Sequence, residues 1–266
     1  MKGKKDMRCS DVINILEELS APSYAEEWDN VGLLAGRRDK EITSVMLALD
    51  ATDAVIEQAV REGVSMLITH HPLVFGKLRS VTTDDFTGRR MFRLIQKDIC
   101  YYAMHTNFDV MGMADAAADE LELKERSVLD ITYEDEISKE GIGRFGRLPE
   151  IMTLLECAEF VKKRFHLTSV RIFGDAEAEL EKAAVCPGSG KSYIKKAARM
   201  GADVYITGDI DHHSGLDAVA MGMCVIDAGH FGLEQIFVPY MKEYLERRLA
   251  GIRVLRAAEA VPFQVV

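Results

Sequence analysis

The sequence predicts an α/β protein made of two similar α/β domains with mixed sheets. Two observations carry the prediction. Short apolar runs of strand length alternate with amphipathic helical runs, the pattern of a parallel or mixed sheet with crossover helices. Two of the alternating stretches also resemble each other: Arg61-Glu62-Gly63 precedes Leu67-Ile68-Thr69, and Arg199-Met200-Gly201 precedes Tyr205-Ile206-Thr207. An old duplication and a chance likeness between two strand–helix–strand units both account for that match. The pattern places a first unit at 1–126, completed by the C-terminal segment, and a second at 127–266.

Residues 11–20 read as a helix, because Val12, Ile13, Leu16 and Leu19 share one face and Ser10 stands where an N-cap is needed. Residues 27–32 are a tight loop entering a short apolar segment, with Asp29 and Asn30 capping it and Trp28, the only tryptophan, as a core anchor. Strand 45–49 leads into helix 53–62, which Gly63 ends. Strand 64–69 is followed by helix 84–97, strand 99–104 and helix 114–121. In 127–150, Gly141, Gly143, Gly146 and Pro149 suggest turns and short strands. Helix 152–164 and strand 169–173 come next. Alternation then returns with strand 183–186, a Gly-rich turn, helix 192–200, strand 204–207, helix 215–221 and strand 224–226. A long helix over 233–249, kinked or delayed by Pro239, precedes a last strand at 252–255.

The totals exclude several classes. A chain of 266 residues with 48% hydrophobic and 29% charged residues reads as soluble and globular. The net charge of -10 argues against a nucleic-acid partner, although the start, with Lys2, Lys4 and Lys5, is basic. No signal-type segment and no apolar run of spanning length occurs, so the expectation is a cytoplasmic protein that does not enter the membrane. Cys9, Cys100, Cys157, Cys186 and Cys224 are scattered and odd in number, which fits reduced thiols rather than a disulfide framework or a cysteine zinc site. Cys186, beside Pro187-Gly188, reads as a small buried thiol.

The chemistry lies at three strand ends. The apolar run Met66-Leu67-Ile68-Thr69 ends in His70 and His71, with Pro72 directly after. Imidazole suits zinc, iron, nickel and copper, and two adjacent ligands require the chain to leave the strand there, since neighbouring strand residues face opposite ways. The second strand end carries His105 and Asp109, and the third carries His230 and Glu234, four residues apart and so on one face of a starting helix. In open α/β sheets ligands gather beyond the carboxyl ends of the strands. His70, His71, His230, Asp109 and Glu234 supply three imidazoles and two carboxylates, more than one four-coordinate ion uses. Two ions would be under-filled, leaving room for shared carboxylates and water, as in a two-metal hydrolytic site. This places a dinuclear metal site in the cleft between the two α/β domains. His105 is either the group that moves a proton or the one that orients Asp109.

Two further stretches are less specific. Gly188-Ser189-Gly190-Lys191-Ser192 lacks full phosphate-loop spacing and reads as a plain turn with a Ser cap. His212 and His213 stand either at a helix start or along a pocket.

In combination, WDNVGLL (28–34), ITHHPLVF (68–75), HTNFD (105–109), GSGKS (188–192), TGDIDHH (207–213) and DAGHFGLE (227–234) resemble the NIF-three-like family, also labelled GTP cyclohydrolase 1 type 2 homologues. The resemblance runs through nearly the whole chain. It implies two divalent metal ions held by His70, His71, Asp109, His230 and Glu234, and a ring-shaped homohexamer built from dimers. It also implies a metal-dependent hydrolase acting on a nucleotide or phosphorylated heterocycle as its small-molecule substrate. The rival reading is a non-enzymatic metal-binding or regulatory assembly protein. Mixed nitrogen and oxygen donors suit zinc, iron, manganese and nickel alike. The chain departs from the family pattern at Leu233, where a small hydroxyl residue commonly stands, and at Asp209, where Glu is frequent; both bear on the groups behind the ligands.

Overall fold

A computed structural model describes residues 7–259, 261, 263 and 264; the basic start at Lys2, Lys4 and Lys5 lies outside the described residues. In chain order the elements are α1 (Cys9–Leu19), β1 (Gly32–Ala35), β2 (Ser44–Ala48), α2 (Asp53–Glu62), β3 (Met66–Thr69), α3 (Phe86–Gln96), β4 (Cys100–Ala103) and α4 (Thr106–Phe108). A π-helical turn (Asp109–Met113) and α5 (Ala114–Glu120) follow. Next come β5 (Lys124–Glu134), β6 (Lys139–Thr153), α6 (Leu154–Arg164), β7 (Arg171–Phe173), β8 (Glu179–Ser189), α7 (Ile194–Arg199), β9 (Val204–Gly208), α8 (His212–Ala220) and β10 (Cys224–Asp227). The chain ends with α9 (His230–Glu234), α10 (Phe237–Glu246) and β11 (Arg253–Arg256).

The fold is mixed α/β and divides into two compact units, Met1–Phe108 with Phe237–Ala260, and Asp109–Ile236 with Val261–Val266. The division falls at Phe108/Asp109 and not at 126/127, because α5 packs on β6 and β8 and sends Ala117, Ala118 and Leu121 into the second unit's core.

In the first unit the sheet order is β1-β4-β3-β2-β11. β2, β3 and β4 run parallel, β11 adds parallel to β2, and β1 closes the other edge antiparallel to β4. Every residue of β2, β3 and β4 is buried, as parallel strands covered on both faces must be. The helices take their limits from local chemistry. Thr52 accepts the Val55 amide at the start of α2, and Gly63 ends it at φ 61°, a conformation glycine adopts without a side-chain clash. The start of α1 differs from expectation: Ser10 lies inside the helix, Arg8 is the N-cap, and Asp11 accepts the Arg8 amide at 2.8 Å.

In the second unit the sheet order is β5-β6-β8-β9-β10-β7. β8, β9 and β10 run parallel, and β7 lies antiparallel to β10. The region read as short strands is one long antiparallel hairpin of β5 and β6. Its glycines are close-approach positions and not turns: a Cβ on Gly141 would collide with the Asp130 carbonyl, and one on Gly146 with the Lys124 carbonyl. The long helix expected over 233–249 is two helices, α9 and α10, with Pro239 in the first turn of α10, where no amide is missed. Among the described residues no helix is long and apolar enough to cross a membrane.

Candidate functional site

In the first unit, β3 delivers His70 and His71. The ladder with β2 continues past its end, since the His70 amide donates to Ala48 and the His71 amide to Leu49. Thr69 Oγ1 donates to the His71 carbonyl at 2.7 Å, and the Tyr101 hydroxyl, buried in β4, reaches the same carbonyl at 3.2 Å and accepts the Leu73 amide at 2.7 Å. This hydroxyl network turns the chain directly after the strand, so both imidazoles can face one place. β4 ends two residues before His105, which joins them: the ligating atoms of His70, His71 and His105 lie within 4.8 Å of one another.

Each of these rings is held by Nδ1. His70 Nδ1 lies 2.7 Å from the Met104 carbonyl, His71 Nδ1 3.0 Å from Asp50 Oδ1, and His105 Nδ1 2.9 Å from Asp29 Oδ1. A carbonyl or carboxylate on one ring nitrogen fixes the tautomer and presents Nε2, which is how metal-ligating histidines are held. The Asp29 side chain is buried; burial alone would raise its pKa, but hydrogen bonds from His105 and Thr106 hold it at about 2. His70 is walled by Phe108 and Phe237, with ring centroids 6.3 and 5.4 Å away.

In the second unit, the loop after β10 delivers His230 and α9 carries Glu234 onto the same face. His230 Nε2 lies 3.0 Å from Glu234 Oε2, and its Nδ1 lies 2.8 Å from Asp209 Oδ2. Asp209 sits at φ 58°, a left-handed conformation that Asp tolerates better than most residues, and this aims its carboxylate at the ring. Glu234 is buried, and ligating oxygens of Asp109 and Glu234 lie within 4.8 Å of each other. Asp109 opens the π-helical turn, an irregularity often found at functional sites.

The glycine-rich stretch is part of this second cluster. Gly188, next to last in β8, sits at φ 74°, and a Cβ there would strike Glu234 Oε1. Gly190 is spent on its own neighbours, its amide donating to Thr207 Oγ1 and its carbonyl accepting the Tyr205 hydroxyl. Cys186, also in β8, is buried, and that burial, with the charges of Asp109 and Glu234 beside it, pushes its thiol up to about 12.

All six residues singled out by spacing thus stand in clusters: His70 and His71 with His105 in the first unit, Asp109, His230 and Glu234 in the second. Other expectations differ. Trp28 is not a core anchor; it is 61% exposed, with its ring 5.9 Å from His105. Asp29 does more than cap a loop, because it holds His105. Asn30 donates to the Val74 carbonyl at 3.0 Å. His212 and His213 begin α8, exposed, after the cap Asp211. Asp50, Asp227 and Arg171 were not singled out; Asp227, buried, accepts the Ile210 and Gly229 amides and an Arg171 guanidinium, which fixes the loop before His230. The sequence signal for Asp50 and Asp227 is their place at the close of an apolar run, Asp50 two residues past β2 and Asp227 the last residue of β10.

The family model for Duf34/NIF3 (NGG1p interacting factor 3) matches residues 7–260. The chain belongs to that family. It is 36% identical over 264 residues to a GTP cyclohydrolase 1 type 2 homolog of Clostridium perfringens, covering 98% of this chain and all of the relative. It is 37% identical over 245 residues to a protein of the same name from Clostridium acetobutylicum, covering 91% of each. Among solved structures it is similar to a Bacillus cereus protein related to NIF3, with a TM-score of 0.90 at 25% identity over 99% of this chain and all of that one. Family membership and the two donor clusters agree in making metal binding the chemistry to test.

Proposed function

We propose that this Duf34/NIF3 protein is a metal-dependent hydrolase in which His70, His71, Asp109, His230 and Glu234 together hold two divalent ions, zinc, iron, manganese or nickel. The observation that carries the reading is the uniform anchoring of the imidazoles: His70, His71, His105 and His230 each have Nδ1 on a carbonyl or carboxylate oxygen. That is costly to arrange for a core and needed for a ligand set. Bound there, the ions would acidify a water and polarise the scissile group of the substrate. The chain's own part is orientation and proton movement. Asp50, Asp29 and Asp209 fix three rings, and the Phe108 and Phe237 wall keeps water from His70. His105, its Nδ1 held by Asp29, presents Nε2 as the atom that takes and returns a proton.

The substrate class, a nucleotide or other phosphorylated heterocycle, is supported by the name that the clostridial relatives carry. A homohexamer built from dimers and working in the cytoplasm completes the proposal. The test is elemental analysis of the purified protein, then a panel of phosphate, amide and cyclic-amidine substrates with and without chelator. Two ions per chain and a chelator-sensitive turnover that His105→Ala abolishes while keeping both ions are expected. A metal-replete protein inert on the whole panel overturns the hydrolase reading in favour of a metal-binding assembly protein.

A further inference from the structure

The chain's only tryptophan stands 61% exposed beside the imidazole cluster of the first unit. Its ring meets His105 at 5.9 Å and 76°. Phe75, 64% exposed, meets the same imidazole at 5.8 Å and 84°. Phe75 also borders a cavity of about 550 Å³, together with His71, Lys77, Phe86 and Arg90, a volume in the range of small-molecule sites; Trp28 stands outside its lining, against the His105 ring. Phe86 is a third exposed aromatic, with the Arg90 guanidinium 5.1 Å over its ring.

The charges of this wall are not equivalent. Asp50 is engaged with His71, Asp85 caps α3 by accepting the Gly88 amide, and Arg90 is paired in two hydrogen bonds to Asp53. Lys77 makes no ion pair among the described residues. The wall therefore offers aromatic faces and one uncommitted cation. Large exposed aromatics around a cavity mark a binding surface, and rings plus an ammonium match a flat π-system joined to an anion.

We propose that this cavity binds a planar aromatic heterocycle carrying a phosphate, with the ring against Trp28 and Phe75 and the phosphate on Lys77. The assignment rests on the hydrolase reading for what happens to the ligand, since the cavity shares His71 with the metal cluster. The binding itself does not require the ions.

As the sole tryptophan, Trp28 reports directly on a stacked ring. Its fluorescence is titrated with AMP, GMP and CMP, with ribose 5-phosphate and inorganic phosphate as ringless controls, on both as-isolated and chelator-stripped protein. Saturable quenching by at least one nucleotide in both preparations, and by neither control, is expected. Phe75→Ala weakens that nucleotide at least about fivefold, the lower end of what one stacked base contributes. Lys77→Ala weakens the nucleotide but leaves its nucleoside unchanged, and circular dichroism of both variants matches the parent. Trp28→Phe, followed by calorimetry, retains binding. Absence of quenching by all three nucleotides overturns the proposal, as do variants that bind like the parent or quenching that tracks protein concentration instead of ligand, which marks a subunit contact. Loss of metal content in the elemental analysis, with quenching intact, sinks the hydrolase reading and leaves this site standing.

Discussion

In the first unit, the strands β1-β4-β3-β2 pair antiparallel, parallel and parallel; in the second, β7-β10-β9-β8 repeat the same pairings in the same order. His70 and His71 follow β3, and the matching place in the second unit holds Gly208, the last residue of β9, and Asp209. Past β4 comes His105, and past β10 comes His230. The same scaffold thus aims its strand ends alike, yet the two ends differ in chemistry. The first is built of imidazoles pinned by the Met104 carbonyl and by carboxylates from neighbouring loops. The second is built around buried Glu234, admitted because Gly188 lacks a Cβ and because Asp209 and Gly229 take left-handed backbone. The comparison teaches that topology sets where a ligand can stand, while local backbone freedom sets which ligand fits.

The largest expected effect tests whether the two clusters serve one centre. His70→Ala and Glu234→Ala, one from each unit, are each expected to lower metal affinity by more than about 100-fold, beyond the loss of an outer partner. If Glu234→Ala retains parental metal by elemental analysis, the units act separately. Next is Gly188→Ala, which places a methyl on Glu234 and strains a residue at φ 74°. It should cost about 1–3 kcal/mol in chemical denaturation and weaken metal retention as well, whereas Gly63→Ala in the first unit, at φ 61° with open space around it, should cost stability alone.

Asp29→Asn and Asp209→Asn compare the carboxylates behind the rings, and each should cost about 10–100-fold in metal affinity or turnover. They should part company in acid. Asp29 is held at about 2 in the fold, below its ordinary value, so its contribution to stability is present above about pH 4 and lost as pH falls toward 2. Melting temperature against pH should therefore lose part of its slope between about pH 4 and pH 2 in Asp29→Asn. The smallest effect compares helix caps: Thr52→Ala removes one hydrogen bond, from the Val55 amide, and Thr153→Ala removes two, the Glu156 amide donating to Oγ1 and Oγ1 donating to the Glu156 carboxylate, while the amide of residue 153 keeps its bond to that carboxylate. Both should cost about 1 kcal/mol, the second more, read as shifts in melting temperature.

Much of this was legible in the residues themselves. The alternation of elements, the helix ended by Gly63 and the ligand types at the strand ends follow from patterns a few residues long. The glycines of 127–150 misled, because a glycine in a turn and a glycine under a facing strand look alike until the facing strand is known. Trp28 misled for a similar reason: its large apolar ring predicts burial, and only its placement near His105 shows otherwise.

The sequence by itself determined which side chains could ligate and which strands would bring them out, because periodicity and chain direction are local properties. The tertiary structure alone decided which oxygen holds each ring. Asp29 and His105 are 76 residues apart, and Asp50 and His71 are 21 apart. Sheet order and loop path bring such partners together, and neither is written in the spacing of any one segment.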